Sequence, residues 1–278
     1  MKPRPDSYGG LGLALIRDLA ESGQATFGVA DARRVAARVG IAPAYLNVLL
    51  HRLVRSGLLH RVRRGAYALA PGLPGISQAH PFVIGMALID PCAVSGWSAL
   101  NHHGLTEQIP QRIMLTTPRR LVTPAMRGVV KGSPSVWQIE QQAYEIVQVV
   151  AAQFFGDETV WIGESKVRIF DRERALLDCF ALPRRLGGLA EGLGILEEHL
   201  HAIDIKRLVA HALRYGKVSV AKRVGYALER VGARAAAVEP LRALPVQGQR
   251  LLDPTRPAGG AYNRRWALRE NLSTRSAP

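Results

Sequence analysis

Leu58-Leu59-His60-Arg61-Val62-Arg63-Arg64-Gly65-Ala66-Tyr67-Ala68-Leu69 reads as two short strands, 58–62 and 66–69, around a basic turn that contains glycine. Just before it, Pro43 stands where proline is favoured at a first helical position. Leu46, Leu49, Leu50 and Leu53 then form an apolar stripe as far as Arg55, with Gly57 as the stop. Further upstream, Ala32, Val35, Ala36 and Val39 recur at helical spacing over 29–39, and Gly40 follows where that helix should end. Leu11, Leu13, Leu15, Ile16 and Leu19, in a run ending near Ser22-Gly23, suit a partly buried first helix. Three helices, the last two joined by a tight turn, followed by an arginine-tipped hairpin, make the order of a winged helix-turn-helix.

That order predicts a division of labour. The face of the 43–55 helix opposite its leucines carries Ala44, Asn47, Val48, His51, Arg52 and Arg55, with Tyr45 near the edge, a mixture of donors and small residues suited to a major groove. Arg33 and Arg34, on the preceding helix and off its apolar stripe, are expected to join the same surface. The hairpin would hold Arg61, Arg63 and Arg64 near phosphates or the minor groove. The alternative is a winged helix that binds protein, which leaves the basic tip without a purpose.

Charge supports a polyanion partner. The chain has 278 residues, with 37 basic and 22 acidic side chains and a net charge of +15. The surplus is +7 over 1–75, −1 over 76–180 and +9 over 181–278, so it sits at both ends. Arginine outnumbers lysine 31 to 6, which fits either phosphate recognition through the planar fork or an arginine-biased composition. Apolar residues make up 47% and charged residues 21%, as in a soluble globular protein, and no apolar run is long enough to cross a bilayer. Residues 1–10 show no secretory pattern, so a cytoplasmic location is expected. Cys92 and Cys179 lie far apart and form no CxxC pair, which argues for buried thiols rather than a zinc ribbon or a disulfide framework.

Pro71-Gly72-Leu73-Pro74-Gly75 can propagate neither helix nor ladder, and the charge balance changes beyond it. Two domains are therefore expected, 1–74 and 75–278. In the second, His80–Ile89 is an apolar helix candidate, while 112–117, 144–150, 159–162 and 166–170 are rich in β-branched and aromatic residues. After Asp171, helical periodicity takes over in 172–180, 190–201, 204–215 and 218–231. Strands followed by helices predict an α+β class, a winged helix-turn-helix domain followed by a larger mixed α/β domain. The stretch 239–260 is rich in proline and glycine, and 262–268 could add a last strand or pack across the domain.

Several stretches carry a family resemblance: Gly65-Ala66-Tyr67 closing the wing, Ser98-Ala99-Leu100-Asn101-His102-His103-Gly104-Leu105-Thr106-Glu107-Gln108-Ile109-Pro110, Val167-Arg168-Ile169-Phe170-Asp171-Arg172-Glu173-Arg174-Ala175-Leu176-Leu177-Asp178, Gly187-Gly188, and Arg223-Val224-Gly225-Tyr226-Ala227-Leu228-Glu229. Through them nearly the whole chain resembles the AbiEi-type antitoxins of type IV toxin–antitoxin systems. The resemblance implies a non-enzymatic, two-domain regulator without a cofactor. Its winged helix would bind inverted repeats in double-stranded operator DNA, as two copies on two half-sites, and repress its own operon. Its C-terminal antitoxin domain would counteract a nucleotidyltransferase toxin, with or without touching it.

Other chemistry is weighed against this. Asp157 with Glu164-Ser165-Lys166 is similar to the Asp and Glu-x-Lys arrangement of restriction-type nucleases, in which carboxylates hold Mg²⁺. A solvated hairpin gives the same letters. Gly96-Trp97-Ser98-Ala99-Leu100 lacks the last glycine of a nucleophile elbow. His102-His103, His199, His201 and His211 lack metal-ligand spacing, so no metal is expected. Asp171, Glu173 and Asp178 fit a helix start with internal ion pairs, and Gly187–Gly192 a helix connection. Lys206, Arg207, Arg214, Lys217, Lys222, Arg223 and Arg230 form either a solvated face or a positive contact surface. A ligand-responsive regulator, with the second domain as sensor, is a further alternative.

Overall fold

The computed structural model describes residues 7–71, 79–120, 135–139 and 141–272. By density of contacts the chain forms two compact units, one of residues 1–93, 111–147 and 159–168, the other of 94–110, 148–158 and 169–278. The sequence-based cut after residue 74 falls within 72–78, outside the described residues.

Unit one opens with α1 (Ser7–Glu21), β1 (Thr26–Gly28), α2 (Val29–Arg38), α3 (Pro43–Arg55), β2 (Leu59–Arg63) and β3 (Ala66–Leu69). The strands pair in the order β1-β3-β2, both neighbours antiparallel to β3. Three helices followed by a hairpin is the element order read from the sequence, with β1 as an addition. Three residues are too few to show alternation. What makes Thr26–Gly28 a strand is its register with β3, Phe27 opposite Tyr67, where the two rings stack at 5.7 Å. The turn between β2 and β3 needs Gly65, whose φ of +78° would strain any side chain, and a bulge between Arg61 and Arg63 adds local twist.

The helices hold together through one apolar cluster that includes Leu15, Leu19, Ala32, Leu46, Leu50 and Leu59. Burying each leucine contributes about 1.5–3 kcal/mol. Leu13 is 55% exposed, so the buried stripe of α1 is narrower than its leucine content suggests. α1 packs on α2, α2 on α3, and α3 on β2.

α4 (Pro81–Leu88) is apolar on all sides because it is covered on more than one, packing on β1, β2 and β3 and also on β5 (Arg112–Thr117). Gly85 lets it approach, since a Cβ there would lie 3.1 Å from a Leu115 methyl group. His80 caps α4, its Nδ1 accepting from the Phe82 amide at 3.1 Å, and burial holds its pKa below the usual histidine value.

The larger sheet also contains β4 (Ala93–Val94), β6 (Ser135–Ile139), β7 (Gln142–Gln148), β8 (Asp157–Ile162) and β9 (Ser165–Phe170), in the order β6-β7-β5-β4-β9-β8. β6 and β7 are antiparallel with Trp137 opposite Tyr144, and β4 runs parallel to β9 through Val94 and Ile169. β6 was not legible in the sequence.

Unit two is mainly helical: α5 (Gly96–His102), α6 (Arg172–Ala181), α7 (Leu189–Glu198), α8 (Ile205–Arg214), α9 (Val218–Arg230) and α10 (Ala235–Arg242). α6 packs against α5, α7, α8 and α9, so Glu173 through Phe180 are all buried. Its charges are handled locally. Asp171 caps the helix by accepting from the Arg174 amide at 2.7 Å, and Arg174 pairs with Asp178 one turn on. The guanidinium lies over the rings of Phe170 at 4.3 Å, Phe155 at 5.2 Å and Tyr215 at 5.3 Å. The chain closes with β10 (Arg250–Leu251), β11 (Tyr262–Asn263) and β12 (Leu268–Arg269), paired as β10-β12-β11. The class is α+β, as expected.

Candidate nucleic-acid interface

α3 turns its leucines inward and its other face to solvent. Leu46, Leu49, Leu50 and Leu53 are buried, while Ala44, Asn47, Val48, His51, Arg52 and Arg55 are exposed. The backbone starts well because Pro43 occupies the first turn after an extended Ala42. Tyr45 differs from its neighbours. It is half-buried against the apolar cluster, and its hydroxyl accepts from Arg52 Nη1 at 3.0 Å, with the guanidinium 5.8 Å from the ring centre. Positions seven apart on a helix share a face, so the pair was readable in the spacing, yet the coupling of the two side chains is set by how they meet in the folded chain.

On α2, Arg33 and Arg34 are both exposed. Arg34 is drawn to Asp31 as an ion pair. The Gly28 amide donates to the Asp31 carboxylate at 2.9 Å and, against partial desolvation and with help from Arg34, keeps its pKa below the usual value. Arg38 pairs with Asp18 at 2.9 Å. Among the described residues, the cation of this helix that is left uncompensated is Arg33.

In the hairpin, Arg61, Arg63 and Arg64 are all exposed. Arg63 has an anchor that no sequence signal announced: its Nε donates to the Ala87 carbonyl at 2.9 Å, in the last turn of α4. Among the described residues, Arg33, Arg55, Arg61 and Arg64 make no hydrogen bond or ion pair. The surface formed by α2, α3 and the hairpin thus offers cations not neutralised from within, beside a helix face of mixed donors and small groups.

The nuclease-like letters do not converge. Asp157 opens β8, and Glu164 lies in the turn beyond its other end, roughly 20 Å away along a strand of this length. Lys166 rests over the Trp161 ring at 5.1 Å, and no group of three potential metal ligands is found among the described residues. The histidines are also dispersed: His103 Nε2 lies 2.7 Å from the Phe170 carbonyl, and His211 Nε2 is 2.9 Å from Asp171.

Of the basic residues on the later helices, several are internal. Lys222 is 3% exposed and donates to the Arg242 carbonyl at 2.6 Å; Arg223 is 8% exposed and donates to the carbonyls of Phe180 and Leu251. Arg207 faces Glu173 at 3.6 Å and Arg230 faces Glu197 at 2.8 Å. Arg214 lies over Phe155 and Lys217 over Tyr215. They do not form one continuous free face.

Three comparisons bear on this description. No curated protein matches the chain. Among solved structures, the RV2827C protein of Mycobacterium tuberculosis is similar with a TM-score of 0.64 at 16% sequence identity, over 93% of this chain and 90% of that one. That likeness speaks for the fold. No helix among the described residues is long and apolar enough to cross a membrane. Residues 14–70, from within α1 to just past β3, match the family model described as transcriptional regulator, AbiEi antitoxin, and the likeness to that family is carried by this amino-terminal segment.

Proposed function

We propose that the chain is a cytoplasmic antitoxin that binds its own operator and represses its operon, counteracting a nucleotidyltransferase toxin encoded beside it. The observation that carries the DNA reading is the exposed face of α3, with Asn47, His51, Arg52 and Arg55 outward, next to hairpin cations that no carboxylate among the described residues neutralises. In this reading α3 enters the major groove, Arg52 and Asn47 read base edges, and Arg33, Arg55, Arg61 and Arg64 hold phosphates. An inverted-repeat operator would take two copies, and no group of the chain does chemistry. The domain boundary at 74/75 belongs to the same proposal.

The test is binding of the full chain to the DNA upstream of its own gene, measured against salt. Neutralising about six phosphates predicts a log–log slope near −5. Arg64→Ala should reduce that slope by about one and weaken all duplexes alike, whereas Asn47→Ala or Arg52→Ala should change sequence preference. A flat salt response, or the same effect from both kinds of variant, would overturn this assignment.

A further inference from the structure

Unit two contains a cleft of about 720 Å³ between the first turn of α9 and the segment 245–254. Among the described residues three cations line it, Lys217, Arg223 and Arg250, and no carboxylate does. The smaller cleft of the same unit, about 400 Å³, is lined by four carboxylates and two arginines, so cationic lining is not a general property of this surface.

Arg223 is the unusual member. Its side chain is buried, yet among the described residues no carboxylate lies at ion-pair distance; its contacts are the Phe180 carbonyl at 3.3 Å and the Leu251 carbonyl at 3.2 and 3.4 Å. Asp253, the acid whose charge reaches it from further off, is engaged by the Leu189 and Thr255 amides and the Thr255 hydroxyl. A guanidinium has five N–H groups, and these contacts use three. A buried positive charge met by carbonyl dipoles and by a carboxylate beyond ion-pair distance is costly unless an anion completes it.

The other walls add donors of the same kind. Lys217, just before α9, gives the helix no side-chain cap, and among the described residues the amides of Val218 and Ser219 have no acceptor. Orphan amides and the helix dipole favour an anion there. Arg250 makes no side-chain hydrogen bond or ion pair among the described residues, and the Lys217 ammonium rests 5.6 Å from the Tyr215 ring centre, within reach of the cleft. Leu251 and Pro254 supply an apolar wall, and Gln247 an amide.

From these groups we infer that the cleft binds a phosphorylated small molecule of nucleotide size, its phosphate held by Lys217, Arg223, Arg250 and the first amides of α9, its ring or sugar against Leu251 and Pro254. The volume is in the range of small-molecule sites, roughly 300–1,000 Å³. A duplex is disfavoured as the source of the phosphate, because its backbone cannot follow a recessed wall to a buried guanidinium. The inference does not rest on the winged helix reading DNA.

The experiment uses the full chain, with AMP, ATP, pyrophosphate and inorganic phosphate as separate probes, followed by calorimetry and thermal unfolding at physiological salt. The expected result is saturable binding of AMP or ATP with a matching rise in Tm. Ser219→Asp places a carboxylate at the second helical position, which suits the helix and opposes an anion. It should keep the unliganded Tm and weaken binding roughly tenfold or more. Lys217→Ala with Arg250→Ala should do the same, since removing a charge-assisted hydrogen bond weakens binding roughly ten- to hundredfold. The inference is overturned by no saturable binding of any of the four probes, by equal affinity in wild type and Ser219→Asp, or by a double variant that loses duplex affinity while nucleotides fail to bind.

Discussion

Arg52 shows how a long exposed side chain can be set in place by its own helix. Its hydrogen bond to the Tyr45 hydroxyl removes rotamer freedom from a long side chain, and Tyr45 is itself held by the apolar cluster. If Arg52 makes the two-pronged contact that arginine makes with guanine, Tyr45→Phe should leave the fold within about 0.5 kcal/mol. It should reduce discrimination against operators with that guanine replaced by a few-fold, through loss of ordering rather than of a DNA contact. Competition binding with a panel of single-base operator variants measures this, and an unchanged preference would show that Tyr45 has no positioning role. Arg63 has a different position: its bond to the Ala87 carbonyl spans 24 residues in sequence and leaves no trace in composition or periodicity. Arg63→Ala should therefore lower the stability of unit one as well as any DNA affinity, whereas Arg64→Ala should touch affinity alone. Deeper in the chain, Arg174 and Asp178 form a wholly buried pair. Removing either partner should cost about 3–5 kcal/mol by stranding a charge, read as a shift in the urea midpoint.

Elements with their own punctuation were legible, and those made by pairing were not. Pro43 and the leucine stripe set the bounds of α3 at Pro43–Arg55, and Asp171 fixed the start of α6 because its carboxylate caps the helix. Thr26–Gly28 is a strand only because β3 lies beside it. α10 contains Pro240 within its last turn, and the proline-rich composition that begins there masked the helix. Among the candidate site residues, the exposed side of α3 was readable because exposure follows from helical period. The compensation of Arg34 by Asp31 and the anchoring of Arg63 were not, since both depend on where side chains meet. The tail past α10 was readable only as something that could pack across its domain, and the reason it does so is one side chain. Trp266 is fully buried, its ring against Gly225 of α9 and its Nε1 donating to the Glu229 carboxylate. A Cβ on Gly225 would come within 2.1 Å of that ring. Gly225→Ala should thus displace Trp266 and destabilise unit two by about 1–3 kcal/mol, with a red-shifted tryptophan emission as the accompanying sign. Emission and stability both unchanged would mean that the tail is not docked in this way.

For the whole molecule, a net charge of +15 has two faces: it attracts anions, and it makes each internal carboxylate valuable for holding the cations together. Asp171 and Asp253 illustrate the second. Burial pushes the Asp171 carboxyl up, but the His211 hydrogen bond at 2.9 Å, the Arg174 amide and the nearby Arg207 charge bring it below the usual aspartate value. Burial likewise opposes ionisation of Asp253, and the Thr255 hydroxyl and amide with the Leu189 amide outweigh it. In both cases the native state binds a proton less readily than the unfolded chain does. Their contribution to stability is therefore complete above the unfolded value of 3.8 and disappears as pH falls through the lower native values. Protonation also raises the positive charge, and self-repulsion then adds to the loss. Urea unfolding measured from about pH 7 down to about pH 3 should show a midpoint that changes little until roughly pH 5 and then falls steeply. Asp171→Asn, which cannot ionise, should start from a lower midpoint at neutral pH and lose less of it on acidification. A variant that keeps the full acid slope of the wild-type chain would show that the His211 and Arg174 contacts do not favour the charged carboxylate, and that acid sensitivity arises from the overall charge alone.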